Sequence, residues 1–452
     1  MEADRLRYLE NAGRRPLCGE LTIQGSKNAA LPVLTACLLG DGPCIIDNCP
    51  QIQDVEDTLA LLRMLGCKTE RSGHTVSVDA SGVERIAIFS AEAERIRSSV
   101  LFLGALLGRM GEAALPYPGG CAIGSRPIDY HLRALEKLGV RFSKSSASGT
   151  SGGASFRETE GSAGEDASGL SSDGIYASAP RLRGAGIRLP QPSVGATENT
   201  ILAAVLADGE TVIENAALEP EIDELCRFLN LRGGRIRRER GGRIRIFGKQ
   251  TLRPVRYRLD ADRIVAGSYL LAGAACGGSI HFRNLPAEQL SALLAVLSRM
   301  GVQVAEDGRM CAGERPLAVK NIATAPYPGF PTDLQSPLMA ALGLARGESR
   351  IWERMFENRF RTAACLRKMG ADITIEGSCA RIKGTATLHG AEVRAPDLRG
   401  GAALVTAALA ASGRSRIEGY EYIARGYEDI CRDFQSLGAE IRLTEDRDEK
   451  VW

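Results

Sequence analysis

The hydrophobic positions of this chain fall into long apolar runs and short alternating stretches. Six runs are almost wholly apolar or small over about ten residues, a length typical of helices. Because these six predicted helices lack a clear polar face, we expect them to be buried among strands and other helices. The runs are "NAALPVLTACLL", "VLFLGALLGRM", "ENTILAAVLADG", "SYLLAGAACGG", "SPLMAALGLARG" and "AALVTAALAASG".

A second pattern follows most of the apolar runs. A turn, a short strand such as "TVIENA" and a second helix lead to a glycine, and an alternating strand comes after it. We expect each glycine to end its helix in the left-handed conformation. The six glycines are Gly66, Gly139, Gly233, Gly301, Gly370 and Gly438.

The spacing of these glycines predicts the architecture. Successive glycines lie 73, 94, 68, 69 and 68 residues apart, and a period this regular indicates repeated units. Each unit has the order strand, helix, strand, helix, strands, which predicts an α/β protein of six units in two domains of three. The longest interval contains residues 145–175, rich in Ser, Gly and acidic residues, which we interpret as a disordered surface insertion. A regulatory or partner-binding tail is the alternative.

Composition narrows the functional class. The chain has 452 residues and a formal net charge of +2, which argues against nucleic acid or an acidic membrane as the main partner. No run reaches the roughly 18 apolar residues of a membrane-spanning helix, and the first residues lack the apolar core of a signal peptide. A cytoplasmic enzyme is therefore expected, with its oligomeric state left open.

Cysteine and histidine usage gives no sign of a metal site. The 12 cysteines lie mostly in apolar runs, which predicts reduced core residues in a reducing compartment. The 4 histidines are scattered, and neither a phosphate-binding loop nor a dinucleotide motif is present. We therefore expect no metal and no organic cofactor.

Two segments carry residues that the repeat does not require. In "IQGSKNAALP", Lys27 and Asn28 begin a helix after a strand and a glycine, an arrangement that can bind an anion. In "PGGCAIGSRPID", Cys121 lies between glycines and Arg126, with Asp129 at the end of the motif. A neighbouring cation favours a reactive thiolate. The alternatives are a solvated lysine and a surface loop with an incidental thiol.

Charged residues near the repeat junctions form a third group. Asp333 precedes an apolar helix in "FPTDLQSP", and a helix N-cap is its simplest interpretation. Each junction arginine taken alone is more often a salt-bridge partner, but several together could converge on a phosphate and a carboxylate. The cations that could share such a site are Lys27, Arg97, Arg126, Arg359, Arg399 and Arg425.

Seven motifs together resemble those of one enzyme family, the UDP-N-acetylglucosamine 1-carboxyvinyltransferases, which are the enolpyruvyl transferases that open peptidoglycan synthesis. The resemblance covers residues 17–443 apart from the insertion, and the cysteine loop is its most specific part. The motifs, in chain order, are "GSKNAALP", "PGGCAIGSRPID", "PSVGAT", "FPTDLQ", "FENRF", "DLRGGAAL" and "RGYE".

The resemblance implies a fold and a domain division. It implies a two-domain inside-out α/β barrel of six βαβαββ units, three per domain, with helices inside, sheets outside and the active site in the interdomain cleft. The first domain would span residues 27–258 and carry the cysteine loop. The second would combine residues 1–26 with residues 259–452.

The resemblance also implies the chemistry. Enolpyruvyl would pass from phosphoenolpyruvate to the 3-hydroxyl of UDP-N-acetylglucosamine, with release of phosphate, by addition and then elimination. The implied catalytic residues are Cys121, Asp333, Lys27 and Arg425. Those implied for phosphoenolpyruvate are Lys27, Asn28, Arg97, Cys121, Arg126, Arg399 and Arg425. Those implied for the UDP-sugar are Asn28, Arg97, Arg126, Pro127, Ile128, Asp129, Tyr130, Ser193, Val194, Gly195, Asp333 and Met355.

Two other functions stay open on the sequence alone. One is transfer of enolpyruvyl to shikimate 3-phosphate by an enzyme of the same architecture, against which the cysteine loop argues. The other is a catalytically silent paralogue that binds the UDP-sugar. Beside these two functions, a solenoid-like scaffold is a further alternative, which predicts no convergence of cations on a phosphate site and leaves the cysteine loop unexplained. The chain departs from the family pattern at Val265 and Gln191, where glutamate and lysine are common, and in the insertion.

Overall fold

A computed structural model describes residues 7–118, 127–143 and 174–445 of the chain. The helices of these residues are α1 (Lys27–Ala36), α2 (Gln53–Met64), α3 (Ala91–Arg95), α4 (Leu101–Met110), α5 (Asp129–Lys137), α6 (Val194–Ala204), α7 (Pro220–Leu231), α8 (Arg263–Cys276), α9 (Ser291–Arg299), α10 (Gln335–Leu342), α11 (Thr362–Lys368), α12 (Leu398–Ala410), α13 (Tyr420–Ile423) and α14 (Ile430–Ser436).

The strands of the described residues are short, each of them two to five residues long. They are β1 (Arg7–Asn11), β2 (Leu17–Leu21), β3 (Pro43–Asp47), β4 (Lys68–Ser72), β5 (Thr75–Asp79), β6 (Glu112–Leu115), β7 (Arg141–Ser143), β8 (Ile175–Ser178), β9 (Gly186–Arg188), β10 (Glu210–Glu214), β11 (Arg235–Glu239), β12 (Arg243–Phe247), β13 (Arg256–Arg258), β14 (Gly278–Phe282), β15 (Gln303–Val304), β16 (Arg309–Ala312), β17 (Ile322–Ala323), β18 (Glu348–Trp352), β19 (Asp372–Glu376), β20 (Cys379–Lys383), β21 (Leu388–His389), β22 (Glu392–Arg394), β23 (Ala411–Ser412), β24 (Ser415–Glu418) and β25 (Ile441–Glu445).

The sheets form two groups of three, here called the first and second halves of the molecule. The first half contains the strands of residues 43–258, and the second half contains those of residues 7–21 and 278–445. In the first half their strand orders are β13-β3-β5-β4, β6-β8-β7 and β11-β12-β10-β9. In the second half the orders are β15-β16-β14-β2, β17-β18-β20-β19 and β22-β24-β1-β25. The described residues also contain the small pair β21-β23. The fold is therefore the predicted α/β architecture of six units.

The six apolar helices lie inside, as predicted. In α8 every residue is buried, and in α12 all but the first are buried. Small residues allow these helices to approach closely, since a Cβ at Gly104 of α4 would lie 2.3 Å from the backbone oxygen of Asn199 in α6. One apolar core runs through residues 29–259, and a second combines residues 9–23 with residues 264–441. The domain boundaries given above stay a prediction.

The six repeat glycines end their helices as predicted. All six have positive φ, from 81° at Gly301 to 108° at Gly233, so the left-handed cap is confirmed. The hydrogen bonds repeat as well. Gly66 N donates to Arg63 O and Cys67 N donates to Leu62 O, which is the pattern that satisfies the last carbonyl groups of a helix.

Two chain segments cross between the halves side by side. Strand β2 precedes α1 but pairs with β14 of the second half, and β13 precedes α8 but pairs with β3 of the first half. Between them, Gly25 and Ala261 form an antiparallel bridge. A Cβ at Gly25 would lie 1.7 Å from Asn48 O, so the crossing accommodates only glycine there. This crossing brings the starts of α1 and α8 together.

Three further sequence predictions concern the cysteines, the insertion and membrane-spanning helices. Cys18 and Cys311 are exposed, so the prediction of core cysteines was wrong for these two, which lie on the outward-facing positions of β2 and β16. The insertion predicted at residues 145–175 lies almost wholly outside the described residues. Within the described ranges, no helix is long and apolar enough to cross a membrane.

Candidate active site

Lys27 is fixed at the first turn of α1. Ser26 caps the helix, accepting a hydrogen bond from Ala29 N, and Asp262 Oδ2 accepts from Lys27 N at 2.9 Å. Asp262 Oδ1 also caps α8 through Ile264 N. One aspartate at the chain crossing therefore holds the starts of both helices, and the lysine side chain leaves the helix at the junction of the two halves.

Asp54 of α2 joins Lys27 to an arginine of the second half. Lys27 Nζ lies 2.6 Å from Asp54 Oδ2, and Arg425 Nε donates to Asp54 Oδ1 at 2.7 Å. Burial lowers the pKa of the Lys27 ammonium, and the nearby Arg425 and Arg399 lower it further, while Asp54 opposes the shift. Burial would raise the pKa of the Asp54 carboxyl, but Lys27 and Arg425 outweigh it and leave this pKa below its ordinary value.

Asp333 is the second carboxylate at this junction. The residues called the charged cluster below are Lys27, Asp54, Asp333, Arg359, Arg399 and Arg425. It lies in a 3₁₀ turn, Thr332–Leu334, and the cap position of α10 is Leu334, with no side-chain cap, so the N-cap interpretation was wrong. Arg399 donates to Asp333 Oδ2 from Nε at 3.1 Å and from Nη2 at 3.0 Å, while Arg359 donates to Oδ1. Burial would lower the pKa of Arg399, but Asp333 outweighs it and raises this pKa.

The buried Glu353 holds Asp333 and Met355 in place. Its carboxylate accepts hydrogen bonds from Thr332 Oγ1 at 2.9 Å, from Thr324 Oγ1 at 2.8 Å and from Met355 N at 2.8 Å. Thr332 is the neighbour of Asp333, so one carboxylate connects the turns that carry both predicted acceptor-site residues.

Three predicted UDP-sugar segments meet in the first half. Arg97 begins the 3₁₀ turn before α4, Asp129 and Tyr130 begin α5, and Ser193 caps α6 by accepting from Ala196 N. Ile128 is buried and Pro127 exposed, whereas Asp129, Tyr130, Ser193, Val194 and Gly195 are half-buried. The structure thus places these segments around the packed starts of α4, α5 and α6.

The remaining residues singled out in the sequence belong neither to the charged cluster nor to the three segments, or lie outside the described residues. Asn28 Nδ2 lies 3.4 Å from Glu221 Oε1, and Glu221 also pairs with Arg263 at 3.3 Å. Cys121 and Arg126, with the rest of residues 119–126, lie outside the described residues. Val265 is fully buried in α8, while Gln191 is exposed.

Sequence reasoning did not find Asp54, Asp262 or Glu353. An acid in the first turn of a helix is common because it complements the helix dipole, so nothing distinguished Asp54. Asp262 did carry a signal, since it immediately precedes an apolar helix where N-cap residues lie. Among the described residues, no group of three or more acidic, His or Cys side chains could hold a metal ion.

Comparison with known proteins identifies the family. The family model of EPSP synthase (3-phosphoshikimate 1-carboxyvinyltransferase) matches residues 12–161 and 162–434. UDP-N-acetylglucosamine 1-carboxyvinyltransferase 2 of Caldanaerobacter subterraneus is 42% identical over 95% of this chain and 98% of its own. UDP-N-acetylglucosamine 1-carboxyvinyltransferase of Sorangium cellulosum is 41% identical over 96% of this chain and 98% of its own.

Solved structures agree with these relatives. The enolpyruvyl transferase NikO from Streptomyces tendae superposes with a TM-score of 0.82 at 25% identity, covering 98% of this chain and all of its own. EPSP synthase from Acinetobacter baumannii shares the fold, with a TM-score of 0.70 at 18% identity over 97% of this chain and all of its own. The chain belongs to the UDP-N-acetylglucosamine 1-carboxyvinyltransferase family of enolpyruvyl transferases.

Proposed function

We propose that this protein transfers enolpyruvyl from phosphoenolpyruvate to the 3-hydroxyl of UDP-N-acetylglucosamine and releases phosphate. The observation that carries the proposal is the charged cluster at the junction of the halves. Lys27 of the first half and Arg425 of the second half contact the same carboxylate, that of Asp54, and the positive charge of Arg399 also lowers the pKa of Lys27. Such a cluster suits a small dianion that also bears a carboxylate.

The proposed chemistry has two steps. In the addition, the sugar hydroxyl oxygen bonds to the central carbon of phosphoenolpyruvate while the methylene carbon gains a proton. In the elimination, the methyl group loses a proton as the carbon–oxygen bond to phosphate breaks, which restores the carbon–carbon double bond and leaves the enolpyruvyl group joined to the sugar oxygen as an enol ether. Asp333 is proposed as the base for the hydroxyl, and the loop residue Cys121 as the acid that also acts in product release.

The cations have a distinct part in this proposal. Lys27, Arg97, Arg126, Arg399 and Arg425 would bind the phosphate and carboxylate groups and offset the charge that develops on the departing phosphate. Arg399 and Arg359 hold both oxygens of Asp333. This orients the proposed base, and Asn28 and Met355 would complete the acceptor side with the three segments of the first half.

The proposal includes a cellular role. The product would enter peptidoglycan synthesis as its first committed intermediate, so that cell wall biogenesis, cell shape, the cell cycle and cell division depend on it. We propose a cytoplasmic location for the reaction and Cys121 as the target of the epoxide antibiotic fosfomycin.

Release of inorganic phosphate from phosphoenolpyruvate tests the reaction. The full chain is assayed with UDP-N-acetylglucosamine and, separately, with shikimate 3-phosphate. Release with the UDP-sugar alone is expected. Release with shikimate 3-phosphate alone would assign that compound as the acceptor. It is included in the test because the family model that matches this chain is described by an enzyme that uses it. UDP-sugar binding by calorimetry without any phosphate release would instead establish a silent paralogue.

A further inference from the structure

The buried pair Asn199 and His131 connects the three segments proposed for the UDP-sugar. Asn199 lies in α6 and is fully buried, and His131 of α5 is 7% exposed. Their nearest polar atoms, Asn199 Nδ2 and His131 Nδ1, are 3.1 Å apart. Neither residue was singled out by the sequence patterns, and neither belongs to the charged cluster at the junction.

The orientation of the Asn199 amide follows from its backbone partners. Gly104 N donates to Asn199 Oδ1 at 2.7 Å, so this end of the amide must be the oxygen. Asn199 Nδ2 donates to Val100 O at 2.9 Å. Val100 O and Gly104 N are the two groups that face each other across the first turn of α4. Turning the amide over would place like groups together at both contacts.

The amide orientation fixes the tautomer of His131. The second hydrogen of Asn199 Nδ2 points to His131 Nδ1, which must accept it and therefore carries no proton of its own. A neutral imidazole with a bare Nδ1 carries its hydrogen on Nε2. Burial, together with the positive charge of Arg97, lowers the pKa of His131 to about 3, which agrees with this geometry.

The other edge of the ring touches the start of α6. A Cβ at Gly195 would lie 2.9 Å from His131 Cε1 and 3.1 Å from Nε2, so only glycine allows this approach without a shift. Three constraints thus meet at the pair. Asn199 fixes the turn that follows Arg97, His131 belongs to the helix of Asp129 and Tyr130, and the ring abuts the Ser193–Gly195 segment.

We propose that Asn199 and His131 are positioning residues for the sugar-nucleotide site, in which Asn199 holds His131 as the neutral Nε2–H tautomer and the pair fixes the spacing of the Arg97, Asp129–Tyr130 and Ser193–Gly195 segments. This inference rests on the proposed function. It concerns affinity for the UDP-sugar and assigns neither residue a part in bond making.

The first test reads the tautomer directly. In wild-type protein labelled with ¹⁵N-histidine, the His131 resonance, assigned by its loss in His131→Gln, is expected to show a protonated Nε2 and a bare Nδ1 at neutral pH. In Asn199→Asp the carboxylate has no hydrogen to donate, so His131 Nδ1 is expected to become protonated. A wild-type His131 that is charged or protonated on Nδ1 would overturn the proposal.

The second test separates positioning from folding. In Asn199→Ala and Asn199→Asp, the Kd for UDP-N-acetylglucosamine is expected to rise about tenfold or more, since a small misplacement of binding groups is costly, with kcat at saturation within about threefold of wild type. The matched control is Thr200→Val, because the buried Thr200 hydroxyl donates to Ala196 O of its own helix and to no other group among the described residues, and its Kd should not change.

The outcomes distinguish this inference from the proposed function. A wild-type protein that does not bind the UDP-sugar overturns both. Wild-type binding with an unchanged Kd in Asn199→Ala overturns only the positioning role. If Asn199→Ala fails to fold, the Asn199→Asp variant and the wild-type ¹⁵N spectrum decide the matter.

Discussion

At the scale of single residues, Asp54 controls the charge state of the junction cluster. Its carboxylate contacts both Lys27 and Arg425. In Asp54→Asn the buried Lys27 loses the group that keeps its pKa up, while Arg425 and Arg399 still lower it. We expect KM for phosphoenolpyruvate to rise about tenfold or more at neutral pH. The alkaline limb of the activity profile should move to lower pH, because Lys27 loses its proton sooner.

The control for this variant is another aspartate–arginine pair. Asp41 lies 2.7 Å from Arg109, but its side chain is 75% exposed, so Asp41→Asn should leave KM and the pH profile unchanged. The two variants are compared by steady-state phosphate release between pH 6 and about 10. This span covers the pKa values expected of a lysine whose pKa is lowered. An Asp54→Asn enzyme with a wild-type profile would remove Asp54 from this role.

Cys121 is tested by its reactivity rather than by its position. We expect fosfomycin to add once to the wild-type protein and to abolish phosphate release, because a thiolate beside cations is a competent nucleophile. Cys121→Ser should show no added mass and less than about 1% of wild-type turnover. Cys18→Ser serves as the control, since Cys18 is exposed and an unselective epoxide would label it. Intact mass spectrometry that finds the adduct on Cys121→Ser would contradict the assignment.

A site residue could be predicted from the sequence only where its immediate neighbours in the chain marked it. Lys27 stood out because it begins a helix after a strand and a glycine, and Arg399 and Arg425 because they lie near repeat junctions. The structure joins Lys27 and Arg425 through Asp54, and the charge of Arg399 also acts on Lys27. Glu353 could not be found in the same way. Its role comes from hydrogen bonds to Thr332 and Thr324, more than 20 residues back along the chain, and a single glutamate after a strand carries no trace of such partners. The roles of the predicted residues in catalysis stay predictions.

At the scale of helices and strands, the repeat glycines differ in what surrounds them. Gly438 has φ of 89°, and beyond its own chain neighbours no atom of the described residues would lie within 4 Å of a Cβ there, whereas at Gly66 a Cβ would lie 2.3 Å from Gly82 O. Gly438→Ala should therefore cost about 1 kcal/mol of unfolding free energy, from backbone strain alone. Gly66→Ala should cost at least about twice that, because backbone must move as well.

Urea unfolding of the two glycine variants provides the comparison. Each is the control for the other, since both residues end a helix of the same repeat with the same pair of hydrogen bonds. Equal losses of stability would show that the close approach at Gly66 relaxes without cost.

The caps and the buried helices could be predicted because both are local properties. The φ of a glycine and the lack of a polar face on a helix both depend on residues within one repeat unit. The cysteines show the limit of such reasoning. Cys18 and Cys311 lie on either side of Ser279 in one sheet, and which face of the sheet meets the core is decided by helices far away in the chain.

At the scale of the whole molecule, the two halves exchange strands. The pairing of β2 with β14 joins residues 17–21 to residues 278–282, and that of β13 with β3 joins residues 256–258 to residues 45–47. No periodicity within a unit reports a partner more than 200 residues away, so the repeat alone predicted two groups of three without this exchange. The crossing is also where Lys27 and Asp262 meet, so the exchange places the site.

Glu224 makes the stability of the crossing depend on pH. It is buried in α7, and its Oε1 accepts from Asp260 N at 2.8 Å. Burial raises the pKa of this carboxyl from 4.5 to about 8, although the hydrogen bond from Asp260 opposes the shift. The folded protein therefore keeps a proton that the unfolded chain has already lost. Its stabilising contribution is full below pH 4.5 and is lost as the pH rises through about 8.

Replacing the acid with its amide should remove this dependence. Glu224→Gln keeps an oxygen for Asp260 N but cannot ionise, so its stability relative to wild type should grow from pH 5 to pH 8 by a few kcal/mol at most. Urea midpoints at several pH values measure the difference. Glu84 is exposed, so Glu84→Gln is the control that should run parallel to wild type. Since Asp260 belongs to the segment that crosses between the halves, a parallel course for Glu224→Gln would show that the folded crossing does not hold this carboxyl in its protonated form.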